Sequence, residues 1–202
     1  EVTTAGAWAS GGNLNTARDT WGGMGTLTAG LIAGGYSGDP PGNHNESEEY
    51  NGTSWTEGEN LNTGRRWHAG AGTQTAGLSM SGSTSGPTRT ANVESYDGTD
   101  WTEVANVNTA RGYHAGFGTQ TAALVAAGYT GDEDSPHHAI DNVEQWDGSS
   151  WTEIADVNTA RADMAGTGTT TAGLIFGSRN PGYTGHTEEW NGTAWAEQND
   201  LI

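Results

Sequence analysis

The sequence predicts an all-β fold: a propeller of four antiparallel sheets, each of four strands, stacked radially around an axis. Three observations predict it. Nearly the same text occurs four times, opening at Arg18, Arg65, Arg111 and Arg161 and closing at Trp55, Trp101, Trp151 and Trp195. The arginines lie 47, 46 and 50 residues apart, and a fixed period of that size marks a repeat architecture. No stretch shows helical periodicity, whereas every copy holds short runs bounded by turn residues. Finally, the chain carries nine tryptophans although only 32% of its residues are hydrophobic. Disordered segments are poor in aromatics, so the tryptophans read as a core dispersed between sheets. A single sheet has two apolar faces that it cannot bury alone; radial stacking buries them and leaves only short edges.

The elements of a copy follow in order. After the arginine comes a small first strand, such as His68-Ala69-Gly70-Ala71-Gly72. Its Gly and Ala residues suit the crowded axis, because they let backbones approach closely. A Thr-rich turn, as in Thr73-Gln74-Thr75-Ala76-Gly77, leads to a short apolar strand ending in Gly, such as Leu31-Ile32-Ala33-Gly34-Gly35. A variable loop leads to the third strand, as in Val93-Glu94-Ser95-Tyr96. Then come Asn51-Gly52, Asp97-Gly98, Asp147-Gly148 and Asn191-Gly192, hairpin signals expected to hold positive φ at both central residues. The fourth strand is of the type Trp101-Thr102-Glu103-Val104-Ala105.

The chain reads as one domain over residues 1–202, with repeats at about 18–57, 65–103, 111–153 and 161–197. Residues 1–17, with Trp8, match a surplus fourth strand. That strand closes the ring and displaces the last one, adds a fifth strand to a sheet, or pairs with a neighbouring subunit. A further alternative is a slice of a larger propeller.

The arginine, small strand, apolar strand ending in a Gly doublet, variable loop, Glu-x-Tyr and Trp together resemble the kelch repeat of β-propellers. The doublet is intact at Gly34-Gly35 and reads Ser81-Gly82, Ala127-Gly128 and Phe176-Gly177 elsewhere. The tyrosine position reads Tyr50, Tyr96, Trp146 and Trp190. The wording Asn-Thr-Ala-Arg, Gly-Thr-Gln-Thr-Ala and Trp-Asn-Gly-Thr is similar to kelch-like repeats in virion and tail-fibre proteins of marine tailed phages. That resemblance implies a binding or structural module on the outside of a phage particle, recognising a host surface glycan or another virion protein. The rival expectations are an exported bacterial adhesion propeller and a glycan-active enzyme using carboxylates. The copper oxidases that use kelch propellers need a Tyr–Cys cross-link, and this chain has no cysteine.

Composition narrows the partners. The net charge is −18 and all seven basic residues are arginines. A nucleic-acid binder needs a basic stripe to neutralise phosphates, and an anionic membrane surface would repel this chain. No apolar run reaches transmembrane length. Without cysteine, disulfide staples and thiolate metal sites are excluded. No signal-peptide pattern is read, and the first residue is Glu1, so a processed or excised piece is the expectation. A homo-oligomer remains open.

No catalytic constellation emerges: there is no Gly-x-Ser-x-Gly elbow, phosphate loop or His-Glu-x-x-His. The acidic loop Asp132-Glu133-Asp134 with His137 and His138 is the metal candidate, as carboxylates suit Ca²⁺. The plain alternative is a solvated acidic loop. His68 and His114 share a repeat position that Trp21 and Asp163 take in the other copies. They read as a metal pair near the axis or, more simply, as inner-strand residues hydrogen-bonding a neighbouring blade. The repeat arginines form either a ring for an anion or pairs with carboxylates such as Glu94, Glu144 and Glu188, holding blade to blade. In a kelch-type blade, the second-to-third-strand loops and the fourth-to-first connections share one face. Those loops differ most among the copies, which points to that face for the partner. Its candidate residues are Tyr36, Asp39, His44, Arg89, Tyr129, Asp132, Glu133, Asp134, His137, His138, Arg179 and Tyr183. No cofactor is called for beyond the Ca²⁺ candidate.

Overall fold

A computed structural model of the chain describes residues 11–38, 42–85, 88–131, 139–179 and 182–201. The expected amino-terminal strand around Trp8, the position of Asp39 and the whole Asp132 to His138 loop lie outside the described residues.

The fold is all-β: four four-stranded antiparallel sheets in a ring, a four-bladed β-propeller, with no helix among the described residues. Blade 1 comprises β1 (Gly22–Thr26), β2 (Ala29–Ala33), β3 (Ser47–Tyr50) and β4 (Trp55–Glu57). Blade 2 comprises β5 (Ala69–Thr73), β6 (Ala76–Met80), β9 (Val93–Tyr96) and β10 (Trp101–Val104). Within its variable loop a small extra hairpin forms, β7 (Ser83–Ser85) with β8 (Thr88–Arg89). Blade 3 comprises β11 (Ala115–Thr119), β12 (Ala122–Tyr129), β13 (Ala139–Trp146) and β14 (Trp151–Ile154). Blade 4 comprises β15 (Ala165–Thr169), β16 (Ala172–Ser178), β17 (Thr184–Trp190) and β18 (Trp195–Gln198).

Small residues dominate the inner strands because those strands converge. A Cβ added at Gly116 would stand 2.5 Å from the Cβ of Ala69 on the neighbouring inner strand. The Thr-rich turn is shorter than the sequence suggests, since Ala76 and Gly77 already pair in β6, with Thr73 and Gly72 opposite.

The outer hairpins correct an expectation. Tyr96 pairs with Trp101, so the loop spans four residues, Asp97 to Asp100. Only the glycine is left-handed (Gly98, φ 94°); Asp97 is not. Instead, Asp97 Oδ1 accepts the backbone N–H groups of Thr99 and Asp100 at 2.8 and 2.9 Å. Asn51, Asp147 and Asn191 do the same in their blades. The side chain closes the turn that a second positive φ would otherwise have closed.

Each repeat arginine meets a buried glutamate of its own blade: Arg18 with Glu48, Arg65 with Glu94, Arg111 with Glu144 and Arg161 with Glu188. The expected blade-to-blade link through these pairs is thus corrected. The same glutamates also accept backbone N–H groups of the lead-in segment, as Glu144 does from Asn108 at 2.6 Å and Thr109 at 3.1 Å. The pair pins that segment to its own sheet. The link between blades runs instead through the arginine carbonyls of blades 2 to 4, which accept from Gly35, Gly82 and Gly128 at 2.8 Å each.

Three blade junctions share one backbone bond, and side chains add to it at two junctions apiece. Trp67 donates its backbone N–H to Thr20, Tyr113 to Trp67, and Asp163 to Tyr113. Gln74 and Gln120 reach back to the carbonyls of Tyr50 and Tyr96 in the preceding blade. Trp151 and Trp195 donate to the carbonyls of Ala105 and Ala155. Apolar clusters fill the same junctions, with Leu31 and Ala33 against Tyr96 and Trp101 as one instance. Among the described residues no hydrogen bond or ion pair joins blade 4 to blade 1. Leu27 stands where Gln74 and Gln120 stand and is 91% exposed. Leu174, Phe176, Tyr50 and Trp55 are only half-buried, unlike their counterparts.

Candidate functional site

The turns and the variable loops emerge on opposite ends of the blades. On one end the glycine of each outer hairpin lies beside the Thr of the inner turn, as Gly98 does beside Thr75. On the other end the variable loop bonds the lead-in to the next blade: Arg65 N–H donates to His44 O at 3.0 Å, and Leu61 N–H to Asn45 O at 2.8 Å. The two loop families expected to share a face therefore do so.

At this loop end, four equivalent residues precede the inner strands: Thr20, Trp67, Tyr113 and Asp163. All are left-handed, with φ of 54°, 55°, 56° and 61°. A bulky or β-branched residue in that region is strained, and such strain collects at functional sites. The next register holds Trp21, His68, His114 and Met164, which corrects the placing of Asp163 at the histidine position. These eight residues line an axial cavity of about 200 Å³. A second axial space of about 220 Å³, walled by inner-strand residues from Gly23 to Gly168, lies toward the turn end of the same strands.

An aromatic and arginine cluster forms part of the rim. The Trp67 and Tyr113 rings stack at 4.5 Å, and Tyr129 meets Tyr113 edge-on at 5.8 Å. The Arg66 guanidinium lies 3.7 Å from the Trp67 ring centroid and 4.3 Å from that of Tyr36. Arg89 lies 5.2 Å from Trp67 and 5.6 Å from Tyr113, and donates to Gly131 O at 3.0 Å. Cations over these ring faces are held by the ring quadrupole.

The histidines are neutral. Burial first, then the positive charge of Arg65, pushes His68 down to about 3; burial and then Arg111 do the same to His114. His68 Nε2 accepts the Gly22 N–H of blade 1 at 3.1 Å, so its proton sits on Nδ1 and the ring ties two blades together. The Met80 backbone hydrogen-bonds the His114 ring and opposes its downward shift without overcoming it. No group of three or more metal-binding side chains occurs among the described residues. The Asp132, Asp134 and His137 candidates lie outside them.

Of the candidate residues on the loop face, Tyr36, Arg89 and Tyr129 come together. Arg89 and Tyr129 are mostly buried within the cluster. His44 is buried and bonds Glu46 at 2.9 Å, a role internal to its loop. Arg179 and Tyr183 are exposed on blade 4, and no contact draws them into the cluster. Asp39, Glu133 and His138 lie outside the described residues. Sequence reasoning missed Arg66, Trp67 and Tyr113. Their signal was present: the two positions after the repeat arginine read Asp-Thr, Arg-Trp, Gly-Tyr and Ala-Asp, while the flanking text repeats.

No protein-family model matches this chain, and a search of curated proteins finds no match.

Proposed function

We propose that this chain is a non-enzymatic binding and structural module, built of kelch-like blades, that works on the exterior of a phage particle. In that reading it serves as a tail-fibre, receptor-binding or capsid-surface protein, and its loop face recognises a host surface glycan or another virion protein. One observation carries the reading. Four of the seven arginines are consumed in buried pairs with glutamates, and the remaining three, Arg66, Arg89 and Arg179, all sit at the loop end of the blades. Two of them rest on aromatic rings held in strained backbone positions, at the rim of a cavity. Folding alone has no use for bulky rings at left-handed sites that Gly or Asn would fill at less cost. Rigid aromatic and arginine groups offer contact area at low entropic cost.

The non-enzymatic part is supported by the fate of the buried carboxylates. Glu48, Glu94, Glu144 and Glu188 are each engaged by an arginine, so none is a free acid or base. The phage setting rests on the repeat wording. The test is incubation with a glycan library while monitoring both retention and product release. Retention without turnover supports the reading, and turnover replaces it with the enzyme. Portal, tail or capsid genes beside the coding sequence would support the virion setting.

A further inference from the structure

We infer that Arg66 is the anchor for a carboxylate on a saccharide partner, and that the axial cavity beside it takes one sugar ring of an acidic glycan. This rests on the binding reading above and names its ligand class. Arg66 differs from the exposed Arg179 in being fixed between rings, and in its bonding from the repeat arginines. Each of those bonds a glutamate, and Arg89 bonds Gly131 O. Among the described residues Arg66 has no ion pair and no side-chain hydrogen bond, and its Nε is buried without a partner. Yet its guanidinium is fixed between the Tyr36 and Trp67 rings at 4.3 and 3.7 Å. A planar, pre-positioned fork with unused donors matches a carboxylate.

The Trp67 ring that carries Arg66 is itself a wall of the axial cavity. On the neighbouring blade Trp21, 41% exposed, lines the same cavity. An open indole face suits the apolar face of a sugar ring. His114 also lines the cavity, nine-tenths buried. A space of about 200 Å³ is smaller than the usual drug-sized pocket, so it holds one ring rather than a chain. Carboxylate and ring together describe an acidic sugar; an acidic peptide would satisfy Arg66 alone.

The experiment uses the whole chain on immobilised acidic oligosaccharides, the same oligosaccharides with their carboxylates reduced to alcohols, and a glutamate-rich peptide. Arg66→Gln and Arg66→Lys are compared with the parent, with thermal unfolding as the check on folding. The expected result is retention of the acidic saccharides, weakened about tenfold or more by carboxylate reduction or by Arg66→Gln. Arg66→Lys recovers part of it, since the charge remains and the fork is lost. Equal retention of acidic and reduced saccharides, or Arg66→Gln binding like the parent, overturns the anchor while leaving the binding module standing. Arg66-dependent retention of the peptide with no saccharide retained overturns the ligand class. No retention of any saccharide or peptide by the folded parent overturns the acidic-glycan ligand and leaves a virion protein as the module's partner.

Discussion

Arg111 Nη2 meets Glu144 Oε1 at 2.6 Å, with both side chains out of reach of solvent. Glu144 spends its remaining lone pairs on the Asn108 and Thr109 N–H groups, and Arg111 also donates to Asn142 O at 2.7 Å. Burial pushes the Arg111 pKa down, while Glu144 holds it up. Such a pair is costly to bury and costlier to halve. Glu144→Ala leaves a buried cation without its counter-charge, and Arg111 Nη2 and two backbone donors without their acceptor. The expected loss is about 3–5 kcal/mol, read from urea denaturation of the two proteins. A loss under about 1 kcal/mol, the range of an exposed pair, would show that the pair is solvated.

The blade junctions are not equivalent, and mutation resolves the difference. Trp151 is buried between blades 2 and 3 and donates to Ala105 O at 3.0 Å. Trp55 holds the same register in blade 1, is half-buried, and faces the junction with no bonds. Trp151→Ala is expected to cost about 3–5 kcal/mol, and Trp55→Ala clearly less. Equal costs by chemical denaturation would mean that blade 4 packs on blade 1 as tightly as the others pack.

Acid destabilises this fold first through its histidines. The folded pKa of His68 and of His114 is about 3, against 6.5 unfolded. Between those values the unfolded chain binds protons that the folded chain refuses, so stability falls as the pH falls from about 6.5 toward 3. Glu48 adds its own loss only lower, because its folded pKa is depressed below the ordinary 4.5. Its desolvation by burial opposes that shift, and bonds from Asn15, Arg18 and Thr16 outweigh it. The window from pH 6.5 down to about 4.5 therefore isolates the histidines. His114→Phe should flatten the stability profile in that window, as measured by melting temperature against pH. An unchanged slope there would refute the assignment.

Much of the fold was legible because the repeat carries it. The period, the strand text and the outer turns each have a local cause, and β9 at Val93–Tyr96 falls where the sequence places it. What was illegible depends on comparison across space. The Asx bonds of Asp97 replace a second positive φ, which Asp-Gly alone does not reveal. The β7–β8 hairpin sits in a loop whose Ser and Thr text carries no alternation. The Trp67–Tyr113 stack joins residues from adjacent repeats, each a single deviation in its own copy. The unbonded junction is half announced by Leu27, which breaks the Gln register of Gln74 and Gln120. Half-buried Leu174 has the same sequence context as buried Leu124, so only the structure separates them.

The central claim is that the loop face, organised by Arg66, Trp67 and Tyr113, is where the partner binds. Trp67→Gly tests it most directly. Trp67 has φ 55°, which glycine adopts without strain, and its N–H bond to Thr20 O is a backbone bond that survives the change. The variant therefore removes the ring and leaves the fold. Thr99→Arg with Ser149→Arg, both exposed on the opposite, turn-bearing face, serves as the counterpart. The measurement is retention on the surface or glycan that the parent chain binds, with thermal unfolding confirming both variants. The account predicts that Trp67→Gly loses retention and the turn-face variant keeps it. Retention kept by Trp67→Gly and lost by the turn-face variant, with both folded, would contradict it.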